Sequence, residues 1–277
     1  MESYLSIYLA NLANQTIFNS MEILLDHNSP TIEEIKLVKK FQKKYPGKLR
    51  HFINKKVLPY SVSINKCIKR AKGKYLAIWN IDDLRVDDSI EIQYKTICNS
   101  NYQFCYGNYF IVDQFGKKTG KFVDLKNIDE NKELLQSMIL GPFFMFKKSV
   151  CDKIGYYDEQ LISGGDFDFA IKLAREVRGK KILKNLGFYL NDQKGLSTKK
   201  NSTQVIEKDL ICLRYGIFHK VNLSSIFKIM NYDIKNTKYN NKYYPINKFF
   251  KFYDEYIIEK VKKYKKFKLI NFLLNNR

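Results

Sequence analysis

The stretch Lys72-Gly73-Lys74-Tyr75-Leu76-Ala77-Ile78-Trp79-Asn80-Ile81-Asp82-Asp83-Leu84-Arg85 decides the fold of this chain. Its apolar run, Tyr75 to Trp79, reads as a buried strand, and Gly73 closes the helix expected before it. The run ends abruptly in two adjacent carboxylates, Asp82 and Asp83. In open α/β sheets, ligands bind where strands leave the sheet at their carboxyl ends. Two carboxylates at such an end suit a hard divalent cation, Mg²⁺ or Mn²⁺, shared with a diphosphate. They also suit a turn or a helix cap, so this stretch alone leaves both readings open.

Upstream, helix and strand patterns alternate. Tyr4, Leu5, Tyr8, Leu9 and Leu12 share one face of a helix spanning Ser3 to Asn14. Met21 to Leu25 is an apolar strand running into Asp26-His27-Asn28-Ser29. Thr31 and Glu34 form a capping box that opens a helix, with Ile35, Val38 and Phe41 inward, and Pro46-Gly47 stops it. A short strand, Leu49 to Ile53, precedes a helix from Ser61 to Ala71. This alternation predicts a mostly parallel sheet covered by helices.

Downstream, Asp88 or Ser89 opens a helix carrying Ile90, Gln93, Tyr94 and Ile97. Phe104 to Val112 and Gly120 to Val123 read as a hairpin turned at 113–116, and Leu134 to Ile139 as a helix. A strand over 141–146, a short helix over Ser149 to Ile154, a helix from Asp166 to about Val177, a strand over Leu183 to Leu190 and a helix over Thr203 to Tyr215 complete the pattern. Asp166 falls at a helix N-terminus, where its ionised form is favoured. From about Gly216 the composition shifts to Lys, Tyr, Asn and Phe. Residues 231–244 read as a polar linker, and Asn247 to Leu274 as basic amphipathic helices suited either to an anionic membrane surface or to docking on the domain. The organisation expected is therefore a main domain over 1–215 and a basic, aromatic-rich helical extension over 216–277.

Composition narrows the function classes. At 277 residues the chain is one large domain, alone or with an appendage. It has no run of about 18 apolar residues, so no transmembrane helix is expected. The N-terminus lacks the charged and apolar regions of a signal peptide. Five scattered cysteines without a CxxC pair fit reduced thiols, and three histidines make no His-rich metal site. A cytoplasmic protein is expected, peripheral on the inner face of the membrane if the C-terminal helices lie there. The net charge of +21 comes mostly from lysine, alongside abundant Asn, Ile, Tyr and Phe. That residue set is also what an AT-rich genome encodes. Nucleic acid is not expected as a partner, because no stacking-aromatic or helix-turn-helix signature accompanies the charge.

Four blocks, in order, resemble the family 2 glycosyltransferases, which have the GT-A fold. They are Asn14 to Thr16 with Glu22 to Ser29, Asn65 to Asp83, Gly141 to Asp158, and Gly165-Asp166-Phe167-Asp168. The resemblance covers about residues 3 to 215. It implies an inverting transfer of a sugar from a nucleotide-diphosphate sugar, a UDP-sugar first, to a hydroxyl of a glycan or lipid-linked acceptor. It implies Asp83 as the metal ligand with Asp82 beside it, and Asp166 as the catalytic base. Asp26 resembles the aspartate that holds the nucleotide base, with Asn28 and Ser29 in the following loop. Asn65 and Lys69 lie on the helix that borders the donor. Between Asp166 and Asp168, only one is expected to point into the site, because residues two apart do not share a helix face.

Three departures from the family pattern also set expectations. Asn80 stands at the usual first acidic position of the strand motif, and Gly165 at the usual Glu before Asp166. The family opens with an apolar strand, whereas here Met1 directly precedes the first helix. That strand lies centrally, between those matching Met21–Leu25 and Tyr75–Trp79. A truncated or degenerate copy is expected, with two rows of backbone groups lacking their usual partners. The alternative to an active transferase is a catalytically inactive GT-A-like binding or scaffold protein.

Overall fold

The computed structural model describes residues 2–128, 140–192, 203–215, 236–239 and 242–245. The chain divides into two compact units, Met1–Lys208 and Asp209–Arg277. Described strands of the second unit, β9 (Asn236–Tyr239) and β10 (Lys242–Pro245), form an antiparallel hairpin where the sequence suggested a linker. The helices expected over 134–139 and 247–274 lie outside the described residues.

The first unit opens on α1 (Glu2–Ala13), whose Leu5, Tyr8, Leu9 and Leu12 are buried as the periodicity predicted. After a 3-10 turn over Phe18–Ser20, β1 (Ile23–Asn28) pairs in parallel with β2 (Leu49–Asn54) in the register Asp26↔Phe52. Asp26 to Asn28 are strand residues, not the loop that follows. Between the two strands runs α2 (Ile32–Lys44). Its capping box is complete: Glu34 N–H donates to Thr31 Oγ1 at 3.1 Å, and Thr31 N–H donates to Glu34 Oε2 at 2.8 Å.

Next come α3 (Tyr60–Arg70), β3 (Tyr75–Ala77), β4 (Leu84–Arg85), α4 (Ser89–Ile97), β5 (Phe104–Val112), β6 (Lys121–Val123), β7 (Phe144–Lys147), α5 (Val150–Ile154), α6 (Gly165–Glu176), β8 (Gly179–Leu190) and α7 (Gln204–Arg214). Six strands form one sheet in the order β3-β7-β5-β8-β4, with β6 added beside β5. The α/β class holds, but this sheet is mixed rather than mostly parallel. Only β5 and β8 run parallel within it, and the other pairs are antiparallel. For β5 and β6 the reason is local: they are consecutive strands, which can reverse without a crossover helix.

Both faces of the sheet are covered, and the strands show it in a period of two. Phe104, Tyr106, Phe144 and Phe146 turn toward Ile68, Ile154, Phe169 and Leu173 of α3, α5 and α6. Cys105, Phe143 and Met145 turn the other way, toward Ile90 and Ile97 of α4. All five cysteines are free.

The main-chain ladder is interrupted between β1 and β3. Among the described strands, β1 pairs only with β2, and β3 pairs only with β7. Both line a cleft of about 450 Å³, walled by Tyr8, Leu12, Ile68 and Tyr94. Two strand edges therefore face each other without a strand between them, where the sequence led us to expect unpaired backbone groups.

Candidate active site

The site is assembled around α3, which touches both halves of it. On one side, Ser63 Oγ accepts from Asn28 Nδ2 at 3.0 Å, and Lys66 and Arg70 face Asp26 at 4.0 and 3.6 Å. On the other, the Tyr60 hydroxyl donates to Asn80 Oδ1 at 3.3 Å. Tight packing fixes the next helix against α3. A Cβ added at Gly165, where the family pattern has Glu, would lie 2.3 Å from Ser61 Oγ, so a side chain there requires Ser61 to turn away.

β3 ends at Ala77 and the chain turns through Asn80, whose C=O accepts from Asp83 N–H at 3.2 Å. Trp79 Nε1 donates to the Asp83 carbonyl at 2.9 Å, and the buried Arg85 guanidinium donates to Gln93, Ser89 and the Ile78 carbonyl. These bonds fix the direction in which Asp82 and Asp83 leave the strand. Asp83 is 2% exposed. Its two oxygens receive only long contacts of 3.4 Å, from Asn80 Nδ2 and from the Leu190 N–H. Burial, with Asp82 beside it, pushes the Asp83 carboxyl up to about 8. Burial raises Asp82 as well, and Asp192 beyond β8 adds to the effect.

Asp166 lies in the first turn of α6, and its Oδ1 accepts from the Phe167 N–H at 2.7 Å. Burial lifts its carboxyl to about 6. The buried Tyr60 hydroxyl is held above its ordinary range first by burial, then by the charges of Asp166, Asp83 and Asp82. The Tyr60 hydroxyl therefore feels the charges of all three carboxylates. Asp168 points away from this group: it is fully buried, 3.1 Å from Lys172 Nζ, which also donates to the Tyr156 carbonyl. Of the two aspartates of α6, one faces the cluster and the other anchors the helix.

The donor-side positions divide. Asp26 and Asn28 are linked through Asn54, whose Nδ2 donates to both at 2.9 and 3.0 Å. Asp26 Oδ1 is buried without a hydrogen bond and is the atom that Arg70 and Lys66 face. Ser29 follows at φ 49°, turning the chain sharply after β1. Asn65 is not available to a ligand. Its amide donates to the Tyr157 carbonyl at 2.9 Å and to Glu159 Oε1 at 2.8 Å, and its oxygen accepts from the Tyr157 N–H at 3.0 Å. Lys69 is exposed and lies over the Tyr156 ring, 5.2 Å from its centroid, away from Asp26. Sequence reasoning missed Tyr60, Lys66, Arg70, Asn54 and Glu207. For Lys66 and Arg70 a signal existed: they are four apart and so share the helix face turned to β1.

Among the described residues, no three His, Cys, Asp or Glu side chains converge on one point. The donor set of Asp82, Asp83 and Asn80 is nonetheless all hard oxygen, and the weakly compensated charge of Asp83 fits a divalent cation that a diphosphate would help to hold.

The comparisons with known proteins give the family and the fold. The family model described as glycosyl transferase family 2 matches residues 2–155. An uncharacterized glycosyltransferase of Methanocaldococcus jannaschii is 29% identical over 181 residues, which are 62% of this chain and 60% of that protein. The Escherichia coli UDP-Glc:alpha-D-GlcNAc-diphosphoundecaprenol beta-1,3-glucosyltransferase is 34% identical over 77 residues, 28% of this chain and 30% of that one. The chain thus spans less than two thirds of the length of these relatives. Among solved structures, S. aureus TarS 1-349 in complex with UDP-GlcNAc matches with a TM-score of 0.62 at 16% identity, over 84% of this chain and 64% of that one. A mannosyltransferase of Pyrobaculum calidifontis in complex with GDP-Man and Mn²⁺ matches with a TM-score of 0.55 at 12% identity, over 84% and 66%. At such identities the likeness shows the fold, which is GT-A.

Proposed function

We propose that this chain, which belongs to glycosyl transferase family 2, moves a sugar from a nucleotide-diphosphate sugar to a hydroxyl of a glycan or lipid-linked acceptor, with inversion at the sugar carbon. One observation carries the reading: Asp82 and Asp83 stand at the turn after β3, where Tyr60 of α3 bonds Asn80, and the same Tyr60 hydroxyl feels the charge of Asp166 in the first turn of α6. The group at the helix N-terminus is a carboxylate of raised pKa, fit to take a proton from an attacking hydroxyl near neutral pH. The pair at the strand end, with Asn80, would hold Mg²⁺ or Mn²⁺ against the diphosphate. Such an ion supplies neutralisation of the charge that develops on the leaving group. Asp26, Asn28 and Ser29 border the nucleoside end, with Asp26 held by Lys66, Arg70 and Asn54. Asn65 serves by tying α3 to the 157–159 segment.

A UDP-sugar is the donor to try first, because the Escherichia coli relative is named for UDP-Glc and the S. aureus structure holds UDP-GlcNAc. The same relative is named for a lipid-linked substrate, which supports an acceptor of that kind. No helix among the described residues is long and apolar enough to cross a membrane, and the segment proposed for membrane contact lies outside them.

The test is turnover of radiolabelled UDP-sugars by the purified chain, with Mg²⁺ or Mn²⁺ and with lipid-linked or oligosaccharide acceptors. Asp166→Asn and Asp83→Asn should each abolish transfer in a folded protein. Retained transfer in Asp166→Asn overturns its assignment as base. The second reading, a GT-A-like binding protein without turnover, draws on the open edges of β1 and β3. Nucleotide-sugar binding without turnover in the same assay would establish it.

A further inference from the structure

Glu207 on α7 accepts three successive main-chain N–H groups. Ile162 and Ser163 donate at 2.7 Å and Gly164 at 2.6 Å, from 43 to 45 positions away in the chain. The Ser163 hydroxyl adds a contact at 3.1 Å. The Glu207 side chain is fully buried, and Gly164 is the N-cap of α6. This carboxylate therefore sits at the positive end of the helix that carries Asp166. Gly164 has no side chain to cap the helix, and no side-chain cap bond is present there. α7 supplies the missing carboxylate from a distance.

We infer that Glu207 is a positioning residue of the active site: it fixes the Ile162–Gly164 main chain and with it the placement of Asp166 against Tyr60. This rests on the reading of Asp166 as the group facing the acceptor. A buried carboxylate that merely capped a helix would leave the chemistry of Asp166 alone. Here the two are electrostatically linked, since the Glu207 charge adds to the burial that raises Asp166. The other titratable groups facing Asp166 are the Tyr60 and Tyr157 hydroxyls, both neutral at ordinary pH. Glu207 thus fixes where Asp166 stands and adds to the burial that governs its ionisation.

The experiment uses the full chain as wild type, Glu207→Gln and Glu207→Ala. Amide exchange of 162–164 is followed by NMR or mass spectrometry, and the Asp166 carboxyl is titrated by carbon NMR. In Glu207→Ala, exchange of 162–164 should rise at least tenfold while α1 and α2 exchange as before. In Glu207→Gln, which keeps the shape but loses the charge, the Asp166 midpoint should move down, toward the ordinary carboxylate range. In the transfer assay kcat should fall with the donor KM unchanged. Unchanged protection of 162–164 in a folded Glu207→Ala overturns the inference, and so does an unmoved Asp166 midpoint in Glu207→Gln. If Glu207→Ala does not fold, Glu207→Gln decides. Exchange and titration need no turnover, so an inactive wild type would sink the transfer reading and still leave the role of Glu207 measured.

Discussion

The Tyr60 hydroxyl and Asn80 Oδ1, 3.3 Å apart, join the start of α3 to the turn that bears Asp82 and Asp83. Asn80 passes the constraint on to Asp83 Oδ2 at 3.4 Å. Tyr60→Phe removes the donor and leaves a shielded amide oxygen unpaired. The expected cost is about 1–2 kcal/mol of stability, with transfer reduced roughly tenfold as the turn loosens. Urea unfolding and steady-state rates on the same preparation check both.

Asp166 should leave its mark in pH dependence. Its folded pKa, about 6, lies above the ordinary 3.8. Between those values the unfolded chain gives up its proton first. The contribution of this carboxyl is therefore fully present below the ordinary value and is lost as pH rises through about 6. Asp166→Asn should be more stable than wild type at pH 7 by roughly 1–2 kcal/mol, allowing for the partly open face of the carboxylate. The two should converge below about pH 4. Transfer by the wild type should rise with pH through about 6, reflecting ionisation of the base. Equal stability of the two proteins across this range would contradict the assignment.

The buried pair of Asp168 and Lys172 anchors α6. Lys172→Met removes the cation 3.1 Å from a fully buried carboxylate, and a loss of about 3–5 kcal/mol is expected. Adding Asp168→Asn to that variant should recover part of the loss, because the stranded charge is gone. A double-mutant cycle in urea measures the recovery.

Asn65 separates positioning from binding. Asn65→Ala removes three hydrogen bonds between α3 and the 157–159 segment. Stability should fall by about 2–3 kcal/mol, whereas donor affinity, read by isothermal titration with UDP, should change less than threefold. A large selective loss of UDP binding in a stable variant would return Asn65 to the donor site.

Much of this was legible in the sequence where a local rule suffices. The α1 face, the capping box at Thr31 and Glu34, and the order of elements through β3 follow from period and punctuation alone. The places of Asp82, Asp83 and Asp166 in the fold were legible because strand ends and helix starts are recognisable. The sheet direction was less so: parallel alternation at the start gave no warning that β7 would reverse beside both β3 and β5. Side-chain surroundings were not legible where long-range partners decide them. Asn65 and Lys69 share a helix with Lys66 and Arg70, yet only the latter two face Asp26. Glu207 gave no local sign, since its partners lie more than 40 residues away.

The gap between β1 and β3 has a thermodynamic consequence. Where a sheet is continuous, its hydrogen-bond ladder makes neighbouring strands melt together. Here the part built from α1, α2, β1 and β2 meets the six-stranded sheet without a shared ladder, through contacts such as the edge-on pair of Tyr8 and Trp79 at 5.6 Å, the bonds of Asn11 to the Arg85 main chain and a bond from the Thr16 N–H to the Asp87 carbonyl. Such contacts transmit less cooperativity than a shared ladder. The fold therefore carries a seam between these two parts, and amide exchange should show β1 and β2 opening at a lower free energy than β5 and β8.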